Sequence, residues 1–301
     1  MRSGAGTVPT AVLAVALLAG ILTAAAARAQ ETPQETPRET PQVTPQATPQ
    51  PAPQSSPAPE TSPTPPAAPE AQAAAPAPHH ACDVPDYLLA TDGALPKVEE
   101  AVKNRHALDV LLIGSRSSTI SSAEANAYPA RFQAALQERF PELQVNLSVE
   151  LLPKKTSEEV DGDLVKLLED KKPNLVIWQT GTVDAMRSID PDDFRSAVDN
   201  GVAAMQKAGT DVVLINLQYS PRTESMISSS PYLDNMRVVA QQYGVPLFDR
   251  FAIMRQWNDA GDFDLFASHG LNTARQVHDC LGHALAKFVI GAAHLDAAQQ
   301  N

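Results

Sequence analysis

Between residues 107 and 293 the chain alternates short apolar runs with longer stretches whose apolar positions recur every three or four residues. The runs are Leu108–Ile113, Gln144–Val149, Leu175–Gln179, Asp211–Leu217 and Val245–Phe248. Gln144–Val149 alternates, whereas Leu108–Ile113 is a continuous apolar run of the kind that sits inside a parallel sheet; all are predicted strands. Between them, Tyr128–Phe140 sets Phe132, Ala135, Leu136 and Phe140 at helical spacing, and Glu158–Lys171 does the same with Val160, Leu164, Leu167 and Leu168. Pro191–Lys207 is a helix with Asp190 as cap, Pro191 in the first turn and a stop at Gly209; these are standard start and stop signals. Pro231–Tyr243 closes at Gly244, and Asp279–Ala293 is the predicted last helix, with a short one at Lys97–Asn104 ahead of the first strand. Strands alternating with helices of this length predict an α/β fold, a five-stranded parallel sheet covered on both faces. Ligands in such folds sit at the carboxyl ends of the strands. Those ends are Gly114–Thr119, the segment after Val149, Thr180–Asp184 and Gln218–Pro221. The first is a break from an apolar strand into a cluster of small hydroxyl residues around Arg116.

The first eighty residues follow other rules. Arg2, the apolar stretch Ala11–Leu22 and the small-residue site Ala27-Arg28-Ala29 predict a secretory signal peptide over 1–29. The apolar stretch, roughly 12 residues, is too short to span a bilayer comfortably, so no membrane span is expected once it is removed. Residues 30–80 repeat Thr-Pro every four residues from Thr32 to Pro49 and then loosen into Pro, Ala, Ser and Gln. Such a segment buries almost nothing and favours polyproline II, a disordered but extended linker reaching on the order of 150 Å. It reads either as a stalk or as low-complexity sequence without a specific role. Residues 81–301 are then one domain, in a periplasmic or secreted protein.

Composition narrows the partners. The chain carries a formal charge of −12, and only three basic and five acidic residues precede position 81, so the domain itself is near −10. That argues against nucleic acid and anionic membrane surfaces. The two cysteines, Cys82 and Cys280, lie near the two ends of the domain; behind an export signal an even count predicts a disulfide between them. No cofactor and no metal are expected, since His79 and His80 sit in the linker without further ligands.

Five blocks in register resemble the secreted branch of the SGNH/GDSL hydrolases: DVLLIGSRSST, NLVIWQTGTVDA, DVVLINLQYSP, LFDRFAIMRQW and FASHGLNTARQVHDCLGHALAKFV. The resemblance covers nearly all of 81–293 and implies a flavodoxin-like three-layer αβα sandwich. It also implies a serine nucleophile after the first strand, an oxyanion hole from the serine amide, a glycine and an asparagine, and an aspartate and histidine three residues apart. Carried over by position, the nucleophile falls on Arg116 in ungapped register or on Ser117 with one inserted residue. Asn146–Pro153 contains no glycine; Val183 stands where the asparagine belongs; His269 and Asn272 stand at the aspartate and histidine positions. An amide cannot act as a general base.

The chain is therefore expected to be a non-catalytic member of the fold, binding or scaffolding cell-envelope polysaccharide or peptidoglycan. Ser115, Arg116, Ser118, Thr182, Asp184, Gln218, Tyr219 and Asn272 are the expected binding residues; a guanidinium among hydroxyls suits a carboxylate or hydroxyl-rich ligand. The alternative is a weak or rewired carbohydrate esterase or deacetylase using Ser117 with His269. A purely structural role is the third reading. His278 and both tryptophans, Trp178 and Trp257, are read as packing.

Overall fold

A computed structural model of the chain describes residues 80–266 and 270–295. The predicted signal peptide and almost all of the linker lie outside these described residues, as does His269.

Five parallel strands form one sheet: β1 (Ala107–Gly114), β2 (Gln144–Leu151), β3 (Leu175–Gln179), β4 (Asp211–Ile215) and β5 (Leu247–Phe248), in the order β2-β1-β3-β4-β5. The helices are α1 (Tyr128–Arg139), α2 (Ser157–Lys171), α3 (Thr182–Met186), α4 (Pro191–Lys207), α5 (Pro221–Met226), α6 (Ser230–Tyr243), α7 (Arg250–Ala260) and α8 (Leu271–Ala292), with short helical turns elsewhere. The order explains the layers. The chain steps from β1 outward to β2, then back across β1 to β3 and on to β5. Right-handed crossovers therefore put α1 on one face and α2, α4 and α6 on the other. The packing agrees: α1 lies against α8, while α4 lies between α2 and α6. This is the αβα sandwich expected from the sequence.

Burial accounts for the strand pattern. Every residue of β3 and β4 is buried, whereas β2, at the sheet edge, alternates and leaves Val149 and Leu151 part-exposed. Trp178 and Trp257 are wholly buried in the core. Local chemistry fixes the helix ends. Thr156 caps α2 in a reciprocal pair with Glu159, and Asp190 accepts from Asp192 N at 2.9 Å at the start of α4. Close contact selects Gly282, where a side chain would strike Arg131 and the Phe132 backbone and force α8 off α1.

The structure adds or extends helices beyond those read from the sequence, Pro221–Met226 among them. The segment Arg250–Ala260 is a helix, capped by Asp249, which accepts from Ala252 N at 3.0 Å. The final helix begins at Leu271 rather than Asp279. The segment after β3 is not loop throughout, because Gly181, at φ 90°, turns the chain straight into α3. Cys82 and Cys280 are joined by a disulfide that ties the start of the domain to α8.

Candidate functional site

The carboxyl ends of β1, β3 and β4 open on a cleft of about 580 Å³ lined by Ser115, Arg116, Ser117, Lys154, Thr182, Val183, Met186, Arg187, Gln218 and Thr223. The β1 loop is built around Gly114. A side chain there would lie 2.2 Å from the Ser118 hydroxyl, which turns back towards the Ser115 amide at 3.3 Å. Residues Arg116–Ser118 then make one 3-10 turn, leaving Arg116 exposed and Ser115 and Ser117 half-buried at the cleft.

Beneath this loop lies a buried polar cluster whose hub is the side-chain amide of Gln179, at the end of β3. Its oxygen accepts from Ser118 Oγ (2.8 Å), Tyr128 Oη (2.9 Å) and Arg250 Nη1 (2.8 Å). Its nitrogen donates to Ser117 Oγ (2.8 Å) and more weakly to Ser115 Oγ (3.3 Å). Arg250, the first residue of α7, also reaches the Ser117 carbonyl with Nη2 (3.1 Å) and the Ser117 hydroxyl with Nη1 (3.3 Å). Asn216 beyond β4 aims α7 by accepting from Phe251 N at 2.9 Å and donating to Asp249 at 2.7 Å.

Arg250 is 2% exposed, and its hydrogen-bond partners are all neutral. Its chain neighbour Asp249 is taken by Arg237 at 3.1 Å. Burial, only partly offset by Tyr128, lowers the guanidinium pKa to about 10; its Nε is buried without a partner. Burial likewise pushes the Tyr128 hydroxyl up, against the pull of Arg250.

Of the residues expected from the sequence, Ser115, Arg116, Ser117, Thr182 and Gln218 meet in the cleft. Four others do not reach it. Ser118 is 1% exposed and serves the buried cluster. Asp184 is equally buried; its carboxylate accepts from Ser157 N at 2.9 Å and so anchors the start of α2 instead of a ligand. Burial raises its pKa, opposed by that hydrogen bond. Tyr219 turns inward against Phe251, ring centroids 5.1 Å apart. Asn272 is exposed on the first turn of α8 and is not part of the lining.

Gln179, Arg250, Tyr128 and Lys154 were missed. Lys154 sits at φ 68° in the turn after β2, the left-handed region that favours glycine. Among the described residues, no histidine or carboxylate bonds the hydroxyls of Ser115, Ser117 or Ser118. No group of three or more His, Cys, Asp or Glu side chains among the described residues could hold a metal ion.

The parallel five-stranded sheet with helices on both faces is the SGNH hydrolase fold. The model of the Non-GDSL lipase-like family matches residues 81–295, and the chain belongs to that family. Among solved structures, it is similar to a two-domain esterase active on acetylated mannans, with 16% identity and a TM-score of 0.55 over 70% of this chain and 57% of that one. It is also similar to an acetyl-xylooligosaccharide esterase from Geobacillus stearothermophilus, with 15% identity and a TM-score of 0.51 over 60% of this chain and 94% of that one. At such identities the likeness shows the fold alone. No curated protein matches the sequence.

Proposed function

We propose that this protein is an exported, non-hydrolytic member of its family that binds glycan, polysaccharide or peptidoglycan, in the cell envelope. The observation that carries the reading is the state of the β1 loop hydroxyls. They are held by an amide and a guanidinium, neither of which can take a proton from serine in the way a catalytic base must. The family positions point the same way: Arg116 at the ungapped nucleophile place, Val183 at the asparagine, and Asn272 exposed at the histidine. Removing the members of such a triad costs on the order of a millionfold in turnover. The hydroxyl and amide lining of the cleft suits a sugar, and sugar esters are the substrates named for the two solved relatives. The signal peptide expected over 1–29, the linker expected over 30–80 and the disulfide support export to a periplasmic or extracellular compartment, where disulfides persist.

The test is ester hydrolysis on a small acetyl ester and on acetylated xylan, beside sedimentation with peptidoglycan and envelope polysaccharide. Turnover at background with retention on the glycan is the expected result. Turnover that disappears in Ser117→Ala would replace this reading with an esterase using Ser117, and His269 would be the next residue to change.

A further inference from the structure

The charge of the cleft runs against the charge of the protein. The chain is formally −12, yet Arg116, Lys154 and Arg187 all line this one opening, and no carboxylate does. Arg187 is partly matched by Glu159 at 3.2 Å. Arg116 and Lys154 are exposed and form no ion pair with any described residue. Directly behind Ser117 lies Arg250, a fourth cation, held by neutral atoms alone and with one nitrogen left unpaired. A buried charge without a counter-ion is costly, and a low-dielectric surrounding lets its field reach further than in water. The cleft therefore presents a positive potential backed by a fixed buried charge.

Hydroxyls and an apolar patch sit among these cations. Ser115, Ser117, Thr182 and Thr223 offer hydroxyls, Gln218 an amide, and Met186 an exposed apolar side chain. A simple inorganic anion would not use this lining; a sugar would. We infer that the cleft binds a sugar bearing an oxyanion, gripped by Arg116 and Lys154 and held in the field of Arg250. The inference rests on the glycan-binding reading and adds the chemical class of the ligand. A guanidinium fork fits a carboxylate or a sulfate ester alike, so the oxyanion is a uronate or a sulfated sugar.

Calorimetric titration of the full chain with a galacturonate oligosaccharide, its carboxyl-reduced neutral counterpart and a sulfated galactose oligosaccharide tests this. At least one charged sugar is expected to bind more tightly than the neutral one, by roughly tenfold or more, and to weaken as salt rises. Tighter binding of the galacturonate identifies a uronate, and tighter binding of the sulfated sugar a sulfate ester. Arg116→Gln, at an exposed position where folding is not at risk, should weaken the charged sugar roughly tenfold to a hundredfold. Lys287→Gln, beside the disulfide and away from the cleft, should change nothing. Equal affinity for charged and neutral sugars, or an unchanged Arg116→Gln, overturns the oxyanion inference while leaving glycan binding intact. If none of the three sugars binds, the inference falls, and the glycan reading falls with it only if peptidoglycan and envelope polysaccharide also fail to retain the protein.

Discussion

At the scale of single residues, the site is organised by Gln179. Its oxygen takes three donors, one of them cationic, and its nitrogen orients Ser117. This predicts an order between two substitutions. Gln179→Leu takes away the acceptor of the Ser118 hydroxyl and the shorter acceptor of both Tyr128 and Arg250, leaving Tyr128 with Ser118 Oγ at 3.3 Å and the buried guanidinium with Ser117 alone. It should cost about 3 kcal/mol or more. Arg250→Met removes a buried unmatched charge and leaves Gln179 with two donors. It should cost markedly less, because exchanging a buried ion for an apolar side chain of similar size is often neutral. Urea unfolding of the two variants measures this; equal losses would mean that Arg250 is better compensated than its neutral partners indicate. The same bonds explain why Ser117 presents an oxygen already engaged by two donors.

At the scale of elements, α8 closes the first turn of α1. The Tyr128 amide opens α1 and has no acceptor within its own helix; His278 on α8 supplies one through Nδ1, at 3.0 Å. This requires the neutral ring, protonated on Nε2 only. Burial, with Arg250 as the lesser cause, lowers the His278 pKa to about 3. The folded value lies below the unfolded one, so between about pH 6.5 and 3 the unfolded chain binds the extra proton. Stability should therefore fall as the pH falls through that window, by on the order of 2 kcal/mol at pH 5 from this residue. His278→Gln keeps an acceptor for Tyr128 without the titration. Its unfolding free energy should vary less between pH 7 and pH 5 than that of the native chain, and a matching slope would assign the acid sensitivity elsewhere.

At the scale of the whole molecule, the Cys82–Cys280 disulfide spans a sequence separation of 198 residues. Closing so long a loop restricts the unfolded chain, with at most about 5 kcal/mol expected from loop entropy. Replacing both cysteines by alanine should lower the melting temperature while leaving binding of the proposed sugar at the cleft unchanged, because neither cysteine is among the cleft-lining residues. A variant that loses both together would show that α8 and the β1 loop respond as one unit.

The sheet, the main helices and the loop that bears the hydroxyls were legible in the amino-acid order alone. These are local matters: a strand buried on both faces needs a continuous apolar run, and a helix shows its period and its caps within a few turns. The same reasoning reached Ser115, Arg116, Ser117, Thr182 and Gln218, because strand carboxyl ends are readable from strand ends. It misplaced Asp184 and Tyr219, which stand at the right ends but point inward to Ser157 and Phe251. Side-chain direction four or five residues past a strand depends on the turn that follows, set by α3 for Asp184 and by the approach to α5 for Tyr219. The charge of the cleft and the floor beneath it emerge only once the chain is folded. Gln179 meets Ser117 across 62 residues and Arg250 meets it across 133. No local pattern marks such pairs, because each residue alone reads as an ordinary polar position at the end of an element.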